Sequence, residues 1–147
     1  MQGYKRINPK FIGDLLVERG VINVHQLQEA IEYQKEKGGL LGEALMFLKY
    51  ASEEDIAQAL TSQYGFPYLP LSNYEIEPEV LSAVSADVCR QHCLIPIDKI
   101  GASLTLAMAN PLHTGSIEEV EALTHCSVQA FVSTATDVRA AIKKHYG

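Results

Sequence analysis

The first 63 residues state one pattern twice. Phe11-Ile12-Gly13-Asp14-Leu15-Leu16-Val17, running on to Gln34, returns as Leu40-Leu41-Gly42-Glu43-Ala44-Leu45-Met46, running on to Gln63, with a constant offset of 29 positions between Gly13 and Gly42 and between Gln34 and Gln63. An internal repeat of this length is a supersecondary unit used twice, each copy too small to bury its own apolar face and so packed on the other. Any fold for this chain must therefore begin with two similar units in contact.

The units read as helical hairpins. Asn8-Pro9 opens a first helix with a capping residue and a proline at the first helical position, and Gly20 closes it. Asn23 with Gln26 forms a capping box for a second helix, with Val24, Leu27, Ala30 and Ile31 on one face and Gly38-Gly39 as its stop. Leu40, Leu41, Ala44, Leu45 and Leu48 repeat the apolar spacing of a third helix. Ser52, three residues before Asp55, caps a fourth that carries Ile56, Ala59 and Leu60 and ends near Gly65.

The character of the chain changes at Phe66-Pro67-Tyr68-Leu69-Pro70-Leu71, where two prolines disfavour helix and predict an extended connector or edge strand. Two domains follow from this, residues 1–66 and 67–147. In the second, the sequence predicts short helices from Pro78 to about Val84 and from a Ser85 cap to His92, then a strand Leu94–Ile97. A turn at Ile100-Gly101-Ala102 leads to a buried strand over 104–109. A helix capped by Ser116, a strand over 128–132 and a closing helix from about Thr136 to His145 complete the chain. The fold class is α+β: an N-terminal bundle of two helical hairpins, then a small α/β domain with a short mixed sheet.

Composition narrows function by exclusion. A net charge of −6 opposes a nucleic-acid backbone as principal partner, and the only basic cluster, Lys5, Arg6 and Lys10, reads as a solvated arm. No segment has the roughly 18 consecutive apolar residues of a membrane helix, and charges interrupt the N-terminus too early for a secretory signal. The expected location is the cytoplasm. Cys89, Cys93 and Cys126 form an odd set without a disulfide framework. There is no Gly-x-x-x-x-Gly-Lys-Ser/Thr loop to cradle phosphates, so the chain is not expected to be an enzyme.

The residues that recur, together with landmarks further on, carry a family resemblance. Two 24-residue copies, 11–34 and 40–63, are separated by the five residues Lys35 to Gly39. They are followed by Gly65-Phe66-Pro67, Ile95-Pro96-Ile97, Ala107-Met108-Ala109-Asn110-Pro111 and a closing Tyr146-Gly147. This order resembles the amino-terminal domain of type II secretion and type IV pilus assembly ATPases, the GspE, PilB and MshE family, with its MshEN-type tandem repeat. The second copy departs from the motif at Lys49, where the family has Gly, and at Tyr50-Ala51, where it has an aliphatic pair.

The resemblance implies a non-catalytic regulatory and docking domain. It connects the rest of the ATPase, if part of a longer chain, to the cytoplasmic domain of an inner-membrane secretion or pilus platform protein, and so lies peripheral to the inner membrane through partners, with no direct membrane insertion. It also implies an alternative, the sensing of cyclic di-GMP, since in the family's signalling branch each repeat binds one side of that messenger. The positions that would line the site are Phe11, Ile12, Gly13, Leu16, Val17 and Gln34 in the first copy and Leu40, Leu41, Gly42, Leu45, Met46 and Gln63 in the second. Phe11 and Leu40 stand where the family places the arginines that read guanine, and neither can attract phosphate. The competing reading of Gly13, Gly42, Gln34 and Gln63 is structural: tight helix crossing and capping. No other cofactor, catalytic residue or metal is expected. Cys89, His92 and Cys93 at i, i+3 and i+4 read as a helix face, and His113 and His125 as surface histidines in turns.

Overall fold

The computed structural model describes residues 12–72 and 74–147. The Asn8-Pro9 helix start and Phe11 lie outside them. The repeat appears as four helices whose starts keep the 29-residue offset: α1 (Ile12–Glu18) and α3 (Leu41–Phe47), α2 (Val24–Lys37) and α4 (Glu53–Tyr64). The caps repeat as well. The Asn23 side chain accepts from Gln26 N–H at 2.8 Å while Gln26 accepts from Asn23 N–H, and Ser52 and Asp55 exchange the same two bonds at 3.0 Å. Each pair satisfies two backbone donors that a helix start would leave orphaned.

The turn after each short helix is also copied, bond for bond. Gly20 N–H donates to Val17 O and Val21 N–H to Leu16 O, both at 3.0 Å; their counterparts are Lys49 N–H to Met46 O at 3.0 Å and Tyr50 N–H to Leu45 O at 2.9 Å. Gly20 has φ +78° and Lys49 φ +64°. The second copy thus retains the left-handed turn although its glycine is gone, in a conformation that disfavours any side chain with a Cβ.

Packing explains the repeated glycines. A Cβ on Gly13 would lie 2.5 Å from Leu27 Cδ1, and one on Gly42 would lie 3.1 Å from Ile56 Cδ1. Leu27 and Ile56 are themselves 29 apart, so each glycine lets the short helix of its hairpin approach the long one. Leu15, Leu16, Ala30, Ala44, Leu45, Ala59 and Leu60 fill the shared core. Val24, expected on the packed face, instead stands 70% exposed. It occupies the first helical position, where the chain has not yet turned onto the neighbouring hairpin.

Beyond the repeat come α5 (Pro78–Leu81), shorter than the sequence suggests, α6 (Ala86–His92), β1 (Leu94–Ile100), β2 (Ser103–Met108), α7 (Thr114–Thr124), β3 (Ser127–Val132) and α8 (Ala135–Tyr146). The sheet order is β1-β2-β3, antiparallel between β1 and β2 and parallel between β2 and β3, which makes it mixed. Central β2 buries Leu104, Leu106, Ala107 and Met108 in near-continuous fashion, because it has strand neighbours on both edges and helices packed over it. Tyr68 bridges Val132 in parallel, so the proline-rich connector does act as a short edge. At the far end the Tyr146 hydroxyl accepts from Cys89 Sγ–H and lies within donating distance of Leu81 O at 2.8 Å and Val84 O at 3.0 Å, tying α8 to the α5–α6 turn.

The two cores meet. Leu112 and Val132 from the second half complete the repeat's core, and Leu40 packs on the core of the sheet. Polar ties cross the same boundary: Arg139 Nε and Nη2 donate to Glu43 Oε2 and Oε1 at 2.7 and 3.0 Å, and Thr136 N–H donates to Glu53 Oε1 at 2.7 Å. Arg139's hydrogen bonds hold Glu43 below the usual carboxylate range, outweighing the opposing desolvation.

Candidate functional site

Between the repeat and the sheet domain lies a cavity of about 580 Å³, within the usual span for small-molecule sites. Its floor is apolar and drawn from both copies: Ile12, Leu27 and Ile31 from the first, Leu41, Met46 and Ile56 from the second. Gly13 and Gly42 lie on the same wall, where the missing side chains let Leu27 and Ile56 close in on the short helices. The sheet domain forms the opposite wall, with Gln91, His92, Asn110, His113, Ser116 and Thr134.

Of the twelve positions expected from the repeat, seven face this cavity: Ile12, Gly13, Gln34, Leu40, Leu41, Gly42 and Met46. Leu16 and Leu45, each three residues after a lining glycine, are fully buried in the hairpin core. Val17 and Gln63 do not line it, Gln63 being exposed on α4. Phe11 lies outside the described residues. Gln34 Nε2 donates to Gly39 O at 3.0 Å, closing the α2–α3 connection at the cavity edge, while Glu43 accepts from Leu40 N–H at 3.1 Å and so caps α3. Capping and lining are therefore joint duties of one set of residues.

The opposite wall carries an arrangement that sequence spacing did not reveal. Ser116, expected as the cap of α7, lies inside its first turn; the helix begins at Thr114, following His113. Its hydroxyl, in a residue only 2% exposed, lies 2.5 Å from His113 Nδ1 and 2.9 Å from His92 Nδ1, and His92 Nε2 lies 3.1 Å from Glu119 Oε1. His113 is an exposed residue, as expected, but it has a partner on the cavity side. Only the contact of α6 with α7 brings His92 to residues 24 and 27 positions away, which no local pattern could signal.

Cys89 and Cys93 point away from the cavity into the core. Burial pushes their thiols up to about 11 and about 12, so they stay protonated and are poor metal ligands. No group of three or more metal-ligating side chains occurs among the described residues. No helix among them is long and apolar enough to cross a membrane.

Comparison with known proteins places this architecture. Type IV pilus assembly ATPase PilB of Myxococcus xanthus is 30% identical over 135 residues, 92% of this chain and 24% of that protein. PilB of Thermus thermophilus is 34% identical over 142 residues, 95% of this chain and 16% of that protein. The chain thus spans a quarter or less of these curated relatives. Among solved structures, the N-terminal domain of XpsE superposes with a TM-score of 0.76 at 24% identity, covering 98% of this chain and 99% of that one. MshE with cdg gives 0.69 at 24% identity, covering 94% and 100%; both likenesses speak to the fold. The MshEN domain model matches residues 64–147, more than half the sequence, starting where the second repeat ends. The doubled hairpin, the mixed sheet behind it and this match agree, and the chain belongs to the MshEN domain family.

Proposed function

We propose that this chain is a non-catalytic regulatory and docking domain of a type II secretion or type IV pilus assembly ATPase. In this reading it divides near residue 66 and works on the cytoplasmic side by contact with the cytoplasmic domain of an inner-membrane platform protein. The observation that carries the reading is the alignment of nearly the whole chain with only 24% and 16% of two PilB ATPases, with no phosphate-cradling loop among its 147 residues. Exposed Phe47, packed on Tyr33 at a ring-centroid distance of 5.0 Å, offers an apolar contact point on the repeat. The test is capture of the purified platform cytoplasmic domain from the same pilus or secretion system. Binding that Phe47→Glu weakens without loss of thermal stability supports docking; absence of capture by the unmodified chain refutes it.

A second reading, cyclic di-GMP sensing, is favoured by one observation: the cavity draws seven of the motif positions together from both copies. The structural neighbour MshE was solved with cdg, which we read as that messenger. The described lining residues include no Lys or Arg, so the phosphates gain little here and the affinity is weak. Leu40→Arg, which restores a guanidinium at the opening position of the second copy, tightens binding in calorimetry. No heat from either protein would sink the sensing reading.

A further inference from the structure

With Glu119 ionised and His92 neutral, the hydrogen-bond chain on the sheet-domain wall has a single polarity. An ionised Glu119 only accepts, so His92 Nε2 is the donor of the 3.1 Å contact. With His92 neutral, its Nδ1 then carries a lone pair and takes the Ser116 hydroxyl proton across 2.9 Å. Ser116 Oγ is left to accept at 2.5 Å, which assigns the proton of His113 to Nδ1. The remaining ring nitrogen, His113 Nε2, is a bare acceptor, and among the described residues nothing donates to it. His92, with 11% of its side chain exposed, and Ser116 are held by packing, so the acceptor is preset rather than recruited.

This inference rests on the nucleotide reading of the cavity and names how that ligand would be read. We propose that the Glu119–His92–Ser116–His113 relay makes His113 Nε2 a reader of the N–H edge of a planar nitrogen heterocycle, a purine base with a ring N–H, seated on the apolar floor. Leu27, Ile31, Met46 and Ile56 supply a surface for the faces of such a ring, and a fixed acceptor suits the donors along its edge. A phosphate fits this cavity poorly. Asp14 and Glu53 are on the lining, Glu43 is engaged by Arg139, and His113 in the tautomer the chain sets offers a lone pair at Nε2, not a proton. His113 is thereby the base-touching residue, and Ser116, His92 and Glu119 act through it as positioning residues.

Long-range nitrogen–proton spectra of the imidazoles in the free 147-residue protein test the relay without any ligand. The expected result is His92 protonated at Nε2 and His113 protonated at Nδ1, with Ser116→Ala releasing His113 into a mixture of tautomers. Titration with cyclic di-GMP then moves the His113 Nε2 resonance. His113→Phe, which keeps a ring but removes the acceptor, weakens binding about tenfold, the loss of one hydrogen bond to a base. Free His113 protonated at Nε2 overturns the proposal. So does bound cyclic di-GMP that leaves Nε2 unmoved and the affinity of His113→Phe unchanged, in which case the nucleotide reading survives. No binding up to millimolar ligand overturns the nucleotide reading and this inference with it.

Discussion

Lys49 is a side chain in a glycine's place, and replacing it with glycine should make the protein more stable. Its φ of +64° matches the +78° of Gly20, 29 residues earlier, and the flanking backbone hydrogen bonds match in partners and to within 0.1 Å. The left-handed conformation costs a residue with a Cβ about 1–2 kcal/mol. Glycine removes that cost but adds about 0.5–1 kcal/mol of chain entropy lost on folding. The Lys49 side chain is exposed, with no hydrogen bond or ion pair among the described residues, so nothing else enters the difference. At mid-range the net gain for Lys49→Gly is about 0.7 kcal/mol, a rise in melting temperature of about 1–3 °C for a domain of this size. Urea unfolding should show a higher midpoint at unchanged slope, because no apolar surface is altered. The reciprocal change, Gly20→Lys, should lower stability by a similar amount. A neutral or destabilising Lys49→Gly at unchanged slope refutes the claim that the worn repeat holds a strained turn.

The Glu43–Arg139 tie between the halves should appear as a coupling of about 1 kcal/mol in a double-mutant cycle with Glu43→Gln and Arg139→Gln, modest because the side chains are 31% and 39% exposed. Because the folded protein lowers the Glu43 pKa from 4.5, its contribution is complete above about pH 4.5 and fades as pH falls through the folded value; Glu43→Gln should therefore flatten the stability profile on the acid side, measured by unfolding between pH 3 and 6. Leu45→Ala, at a fully buried position in the hairpin core, should cost about 2–5 kcal/mol, read from the urea midpoint. Cys89 and Cys93, their thiols raised by burial to about 11 and about 12, should resist a thiol-specific disulfide reagent at pH 8 in the folded protein and react fully in denaturant.

The repeat was legible because it is written in local chemistry. Caps at Asn23 and Ser52, stops at Gly20, Gly38 and Gly65, and the apolar spacing of Leu15, Leu16, Ala44 and Leu45 act over one or two helical turns, and each recurs in the structure. The mixed sheet followed from short apolar runs separated by Gly101 and by a helix, since a tight turn joins antiparallel neighbours and a crossover joins parallel ones. Ser116 was misassigned because a serine at a helix start usually caps it; here the neighbouring helix offers it a better partner in His92.

What the sequence determined by itself was the doubled hairpin, the order of elements behind it and the family, all of which depend on residues near one another in the chain. Tertiary structure alone decided which motif positions share a cavity, that Leu16 and Leu45 serve the core instead, and that His92, His113, Ser116 and Glu119 form one relay. Those outcomes depend on how helices from distant segments cross, and a change of one residue in register at a crossing exchanges the cavity face for the core face without altering any local preference.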